Sequence, residues 1–291
     1  MKFRISNNAK EKTMHIVFLL SALMSILFVA LICIFLFANG LPAIFKIGPM
    51  DFLFGKEWFP TDEPPQFGIL PMILGSLYVT IGALVLGVSV GILSAVFMAK
   101  FCPEKLHRRL KPAVELLAGI PSVVYGFFGL VVIVPFVRDV FGGSGFSILT
   151  ASILLGIMIL PTIISVSEAS IRAVPGSYYE GTLALGATHE RSVFAVVLPA
   201  AKSGIVAGIV LGFGRAIGET MAVILVAGNQ ARMPTGLLSG VRTMTTNIVL
   251  EMGYAADLHR DALIATGVVL FAFILVINLV FNILKNKAVG K

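Results

Sequence analysis

Arg215 and Glu219, four residues apart, are the only charged side chains in an apolar stretch running from 204 to 230. Arg215 lies eleven residues beyond Gly204, about 16 Å along a helix and therefore near mid-bilayer if the stretch spans a membrane. An arginine there costs at least ~2.5 kcal/mol on insertion scales. Two readings fit. As an i,i+4 neighbour, Glu219 neutralises Arg215, and the two make a self-contained ion pair that glues helices. Alternatively the guanidinium faces a water-accessible path and offers its planar fork to an oxyanion. Glu219 then holds the arginine in place and keeps the anion from binding too tightly to leave. Gly204, Gly208, Gly212, Ala216 and Thr220 recur every four residues along the same stretch. Such a small stripe lets membrane helices approach closely, within this chain or against another.

Enzymatic motifs are missing. No G-x-x-x-x-G-K-[ST] phosphate loop occurs, and Gly55-Lys56-Glu57 lacks every other part of one. His15, His107, His189 and His259 are scattered without metal-ligand spacing, and Cys33 and Cys102 imply neither a disulfide framework nor a metal site. Gly143-Ser144-Gly145 has the look of an intramembrane serine-protease loop, but no histidine is placed to pair with it. An ordinary glycine-rich turn is the plainer reading. The chain shows no energy-transducing site of its own.

The elements that position these residues follow from composition. Of 291 residues, 57% are apolar and 13% charged, with a mean hydropathy of +0.98. A soluble domain carries about a quarter charged residues, so a soluble enzyme, a disordered chain and a conventional nucleic-acid binder are excluded. The expected fold is all-α: a polytopic membrane protein of six transmembrane helices in one domain, 1–291. The spans are expected at about 14–38, 69–99, 113–137, 146–170, 204–230 and 262–284, because helices satisfy their own backbone in lipid. The first run is too long for a secretory h-region and reads as a retained span. Glu115 is expected to open the third helix, where a carboxylate suits the positive helix end. Glu168 and Arg172 read as a local i,i+4 pair, and Pro121 and Pro161 as helix kinks.

The pI near 9.5 is explained by topology. With the N-terminus inside, fifteen of the 22 Lys and Arg fall on cytoplasmic segments and six outside, while eight of the 15 acidic residues fall outside. Both termini are thus expected in the cytoplasm. The outside segment 39–68 carries Trp58, Pro60, Pro64 and Pro65. It either caps the outer mouth of the bundle or lies at the interface as an aromatic belt.

The inside segment 173–203 is the most specific. Glu180 and Gly186 are six apart, and after nine further residues comes Val196-Val197-Leu198-Pro199. This resembles the cytoplasmic loop of ABC-importer permeases, E-A-A-x3-G-x9-I-x-L-P, with Gly181 and Thr182 in place of the alanines and Val196 for the isoleucine. In that family the loop forms a short coupling helix docking on a separate ATPase. Leu183, Ala184 and Ala187 on one side, ended by a glycine, would make a compact knob.

Arg215-Ala216-Ile217-Gly218-Glu219-Thr220-Met221-Ala222-Val223, followed by Ala227-Gly228-Asn229, looks like the phosphate ABC-transporter permease of the PstC type. Gly119-Ile120-Pro121-Ser122-Val123-Val124-Tyr125-Gly126-Phe127 and Trp58…Pro60…Phe67-Gly68-Ile69-Leu70-Pro71 add support, so the likeness covers most of the chain from about residue 50. The sister PstA type shares Arg-Ala-x-Gly-Glu-Thr and the loop; the Met-Ala-Val continuation and the long Trp58 segment favour PstC. The resemblance implies a type I ABC-importer permease (MetI-like) bundle in the bacterial or archaeal plasma membrane. It implies a PstA-type permease as heterodimer partner, two copies of a PstB-type ATPase carrying Mg-ATP, and a PstS-type phosphate-binding protein outside. No cofactor is implied in this chain. Arg215, Glu219 and Thr220 are then the substrate-path candidates. Glu180, Gly186, Ala187, Leu198 and Pro199 are the ATPase-coupling candidates. The rivals are the PstA type, a permease for another oxyanion, a secondary anion transporter or channel using Arg215, and a protease at Ser144.

Overall fold

The computed structural model of the protein describes residues 7–289. The tails 1–6 and 290–291, which contribute Lys2, Arg4 and Lys291 to the charge count, lie outside the described residues. Among the described residues, six helices are long and apolar enough to cross a membrane. Helix α1 (Asn7–Ile47) is apolar around its circumference and leaves most of its length exposed, as suits a lipid-facing span. A short α2 (Pro49–Phe54) and a hairpin, β1 (Trp58–Phe59) with β2 (Gln66–Phe67), follow it. The hairpin is antiparallel, with Trp58 opposite Phe67. Then come α3 (Leu70–Val96), α4 (Glu104–Gly119), α5 (Ser122–Phe128), α6 (Val134–Phe141) and α7 (Ile148–Arg172). The chain continues through α8 (Gly176–Ala184), α9 (His189–Ser192), α10 (Leu198–Gly218), α11 (Met221–Val226), α12 (Met244–Glu251) and α13 (Asp257–Val289).

Three wide π-helical turns, Phe97–Phe101, Gly129–Ile133 and Val193–Val197, join or end these helices. Each lies just before a proline: Pro103, Pro135 and Pro199. Pro135 and Pro199 lie in continuous helix, lack the N–H that would satisfy a carbonyl one turn back and crowd that carbonyl, whereas Pro103 follows the extended Cys102 and opens α4. Widening the preceding turn relieves both problems.

Helix α7 sits at the centre, packed between α3 and α10, and fifteen of its residues are buried. The small stripe of α10 is what lets it approach: a Cβ on Gly204 would collide with Ser170 of α7, and one on Gly208 or Gly212 would crowd Ser167 or Ile163. The stripe therefore packs within this chain. Helices α1 and α13 form a second layer, with Phe37 and Phe271 edge to face at 5.8 Å.

Three expected boundaries differ. The third span begins at Ser122 rather than near 113, because Ile120 and Pro121 are extended and end α4. Pro121 is thus a helix junction, not a kink, whereas Pro161 does lie inside α7. Glu115 belongs to the last turns of α4, so it opens no span. The 204–230 stretch is not one helix: it breaks after Gly218 and resumes at Met221. Its helical run starts earlier, at His189, so the second half of the 173–203 loop already belongs to the fifth span.

Candidate functional site

The break in the fifth span is where the charges lie. Glu219 is extended (φ −70°, ψ 134°) and Thr220 is non-helical (φ −123°, ψ −59°). Gly218, a weak helix former, precedes them. The exposed backbone is satisfied from both sides. The Thr245 hydroxyl of α12 donates to the Glu219 carbonyl at 3.0 Å, the Thr220 hydroxyl donates to the Gly218 carbonyl at 3.3 Å, and the Glu219 carboxylate Oε1 accepts the Ala222 N–H at 3.1 Å. Broken backbone at membrane depth needs such partners.

Arg215 and Glu219 are brought close in sequence but not paired. No ion pair joins them among the described residues, because the unwinding at 219–220 abolishes the i,i+4 neighbour relation. The gluing ion pair, and the idea that Glu219 holds the arginine, are corrected accordingly. Each charge is instead accommodated by a helix end: Arg215 in the last turn of α10, Glu219 capping the first turn of α11. A cation at a C-terminus and an anion at an N-terminus are each favoured by about 0.3–1 kcal/mol. The Arg215 guanidinium makes one long hydrogen bond, from Nη1 to the Thr162 hydroxyl at 3.4 Å, and lies within electrostatic reach of Tyr125. It is half-buried, and around Gly214 and Gly218 beside it the space is open. Four of its five N–H groups have no protein partner among the described residues.

The loop after α7 forms a capped knob. Helix α8 ends in a Schellman arrangement: Gly186 N–H donates to the Leu183 carbonyl at 2.9 Å and Ala187 N–H to the Thr182 carbonyl at 3.1 Å. Gly186 has φ +82°, the left-handed conformation that this motif needs and that glycine adopts without cost. The knob is fixed to the bundle by Tyr179, whose hydroxyl lies 2.7 Å from His189 Nδ1, while Lys100 sits over its ring. Glu180 and Leu185 are exposed; Leu185, at 88% exposure, forms an apolar tip. Sequence reasoning passed over Leu185 in favour of its neighbours. Leu198 and Pro199 are not on the knob: they open α10, where Leu198 packs against the buried cluster of Ala95, Val96, Ile171, Val193, Val197 and Ala201.

Glu168 is more than half of a local pair. Buried at 2% exposure, it accepts Arg172 Nε at 2.8 Å and Lys111 Nζ at 2.7 Å and lies 2.6 Å from His107 Nε2. Arg172 also donates to the Met98 carbonyl at 2.7 Å. Helix α4 buries none of its residues, so this cluster is its tether to α7. The signal was unreadable from sequence because Lys111 and His107 lie 57 and 61 residues away.

At the opposite end, Trp58 is buried and donates to Glu251 Oε2 at 2.9 Å. The 39–68 segment thus folds onto the bundle instead of forming a belt. Glu251 also accepts Arg242 Nη1 at 2.5 Å and lies 2.8 Å from His259 Nε2. Partial desolvation, helped by the Glu251 charge, pushes the nearby Tyr254 hydroxyl up, so it stays a donor. Ser144 lies in an exposed turn whose glycines 142, 143 and 145 all have positive φ, and its hydroxyl reaches the Phe146 carbonyl at 3.4 Å.

The chain has relatives of known class. It is 41% identical over 256 residues to a probable ABC transporter permease protein, YqgH, of Bacillus subtilis, covering 85% of this chain and 83% of that one. It is 36% identical to the phosphate transport system permease protein PstC of Mesorhizobium japonicum, covering 82% and 79%. Its fold matches a chain of a bacterial alginate ABC transporter with a TM-score of 0.66 at 18% identity, over 98% of both chains. Residues 87–288 match the family model for the inner membrane component of binding-protein-dependent transport systems. This chain belongs to the family of binding-protein-dependent transport system inner membrane components.

Proposed function

We propose that the chain is the permease subunit of an ATP-driven phosphate importer, forming one half of the translocation path. The observation that carries this reading is the half-buried Arg215 guanidinium at the break of the fifth span, which has no carboxylate partner among the described residues and is presented beside open space. A tetrahedral oxyanion is a fit partner for a planar N–H fork in a site of low dielectric. Relatives bearing the phosphate-permease name, 32–36% identical over most of the chain, support the substrate.

The mechanism follows from the elements. The termini and the α8 knob face the cytoplasm, as the sorting of basic residues supports. Glu180, Leu185 and the Gly186-capped end of α8 dock in a cleft of a PstB-type ATPase, two copies of which bind Mg-ATP; hydrolysis belongs to them and not to this chain. The pull on α8 passes through Tyr179 and Leu198 into α10, at whose far end Arg215 sits. Rocking of this bundle against a PstA-type partner alternates access. A PstS-type binding protein delivers phosphate from outside, and Thr220 lines the same break as Arg215 and Glu219.

The test is reconstitution. Proteoliposomes holding this chain, the second permease and the ATPase should take up phosphate only with ATP and the binding protein, and excess sulfate or molybdate should not compete. Uptake without the ATPase would contradict the importer reading, and competition by another oxyanion would move the substrate.

A further inference from the structure

The Trp58 segment does more than cap the bundle: it walls a cavity of about 530 Å³ together with Thr61, Gln230, Arg232, Arg242, Tyr254 and others. The charges there are unevenly committed. Glu251 is already engaged by three partners, the Trp58 indole N–H, the Arg242 guanidinium and His259. Arg242 is held by three hydrogen bonds, Nε to the Asn229 carbonyl at 3.0 Å and Nη1 to Asn247 Oδ1 at 3.0 Å and to Glu251. Its Nη2 has no protein partner among the described residues, so a pre-oriented pair of N–H groups remains on the cavity wall. Arg232, exposed on the same wall, makes no ion pair among the described residues. Two guanidinium groups and one carboxylate already engaged by three donors therefore line the cavity, and the hydroxyls of Thr61 and Tyr254 and the Gln230 amide add further donors.

Side-chain hydrogen bonds of α12 link the cavity wall to the break in the fifth span. Asn247, fully buried, accepts from Arg242, while its Nδ2 is left without a partner. Two residues earlier on the same helix, Thr245 donates to the Glu219 carbonyl.

We propose that this cavity is a second oxyanion site, taking a hydrated inorganic phosphate-class anion at the outer approach to Arg215. The proposal deepens the phosphate-permease reading and rests on it. The cavity is too large for a bare tetrahedral anion, so part of the hydration shell stays, and binding is weak enough to pass the anion inward.

Trp58 is the sole tryptophan of the chain and reports the site directly. The full chain in lipid nanodiscs is titrated with inorganic phosphate while Trp58 fluorescence is followed. A saturable change is expected, half-complete at roughly millimolar phosphate, the strength of a few charge-assisted contacts in a wet site. Arg232→Gln, at an exposed loop position, should weaken it by about tenfold or more, Arg232→Lys should largely restore it, and Arg215→Gln should leave it unchanged. Absence of a saturable change, or equal titrations for wild type and Arg232→Gln, would overturn the proposal. A response lost in Arg215→Gln and kept in Arg232→Gln would overturn it too, while leaving the path reading intact. If Trp58 responds as expected but the reconstituted complex transports no phosphate, the reading of the transporter fails and the site stands.

Discussion

At the scale of single residues, a charge in a membrane is tolerated when something local stabilises it. Arg215 and Glu219 use opposite helix ends for this purpose. Glu219→Gln keeps an acceptor for the Ala222 N–H and should preserve assembly. Glu219→Ala removes the cap, and its stability loss should be about 1 kcal/mol, read as a lower unfolding temperature of the detergent-solubilised complex. If Gln and Ala behave alike, the capping role is wrong. Glu168 is held in a different manner, by burial among Lys111, Arg172 and the His107 ring. Glu168→Gln leaves Arg172 without its carboxylate and Lys111 with only the exposed Glu115, 4.0 Å away. The cost should be about 2–4 kcal/mol, below the figure for fully buried pairs because both cations reach water. Proteolysis near α4 should then become faster. The sequence revealed Arg215 and Glu219 as residues of interest through their rarity in an apolar run. It misled about their pairing, because four-residue spacing means contact only while the helix continues. The Glu168 cluster and the Trp58–Glu251 bond were unreadable for another reason: their partners are up to 193 residues apart.

At the scale of elements, the α8 knob shows how one glycine shapes a docking surface. A side chain at Gly186 meets open space, so its cost is conformational and amounts to about 1–2 kcal/mol. Gly186→Asp adds a charge beside the apolar Leu185 tip. The ATPase should no longer co-purify with the complex, whereas Gly181→Ala, helical and equally open, should behave as wild type. Co-purification of Gly186→Asp at wild-type levels would refute the docking surface. Here sequence legibility was high, because the Schellman cap demands a glycine at a fixed offset from the helix. The three wide turns before Pro103, Pro135 and Pro199 were legible only as helix breakers. Whether a proline ends a helix or widens it depends on the packing around it.

At the scale of the whole molecule, six apolar helices and sorted charges specify a bundle with two unlike ends. One carries the α8 knob and the Glu168 tether; the other carries the Trp58 hairpin and its cavity. Apolar length was enough to expect the six spans. It could not show that the small stripe of α10 turns toward α7, which depends on Ser167, Ser170 and Ile163 lying opposite. Orientation is open to cysteine labelling. In a background lacking Cys33 and Cys102, a membrane-impermeant maleimide applied to intact cells should modify Thr61→Cys and spare Leu185→Cys until the membrane is opened. The reverse pattern would invert the topology.

The most direct test concerns the arginine at the break. Arg215→Gln keeps the size and much of the hydrogen bonding of the side chain while removing its charge, and the complex should still assemble and bind its ATPase. ATP-driven phosphate uptake into proteoliposomes should fall at least ~100-fold, since a charge-assisted contact to an oxyanion in a site of low dielectric is worth about 3 kcal/mol. Uptake by the Arg215→Gln complex at the wild-type rate would contradict a phosphate path through this residue.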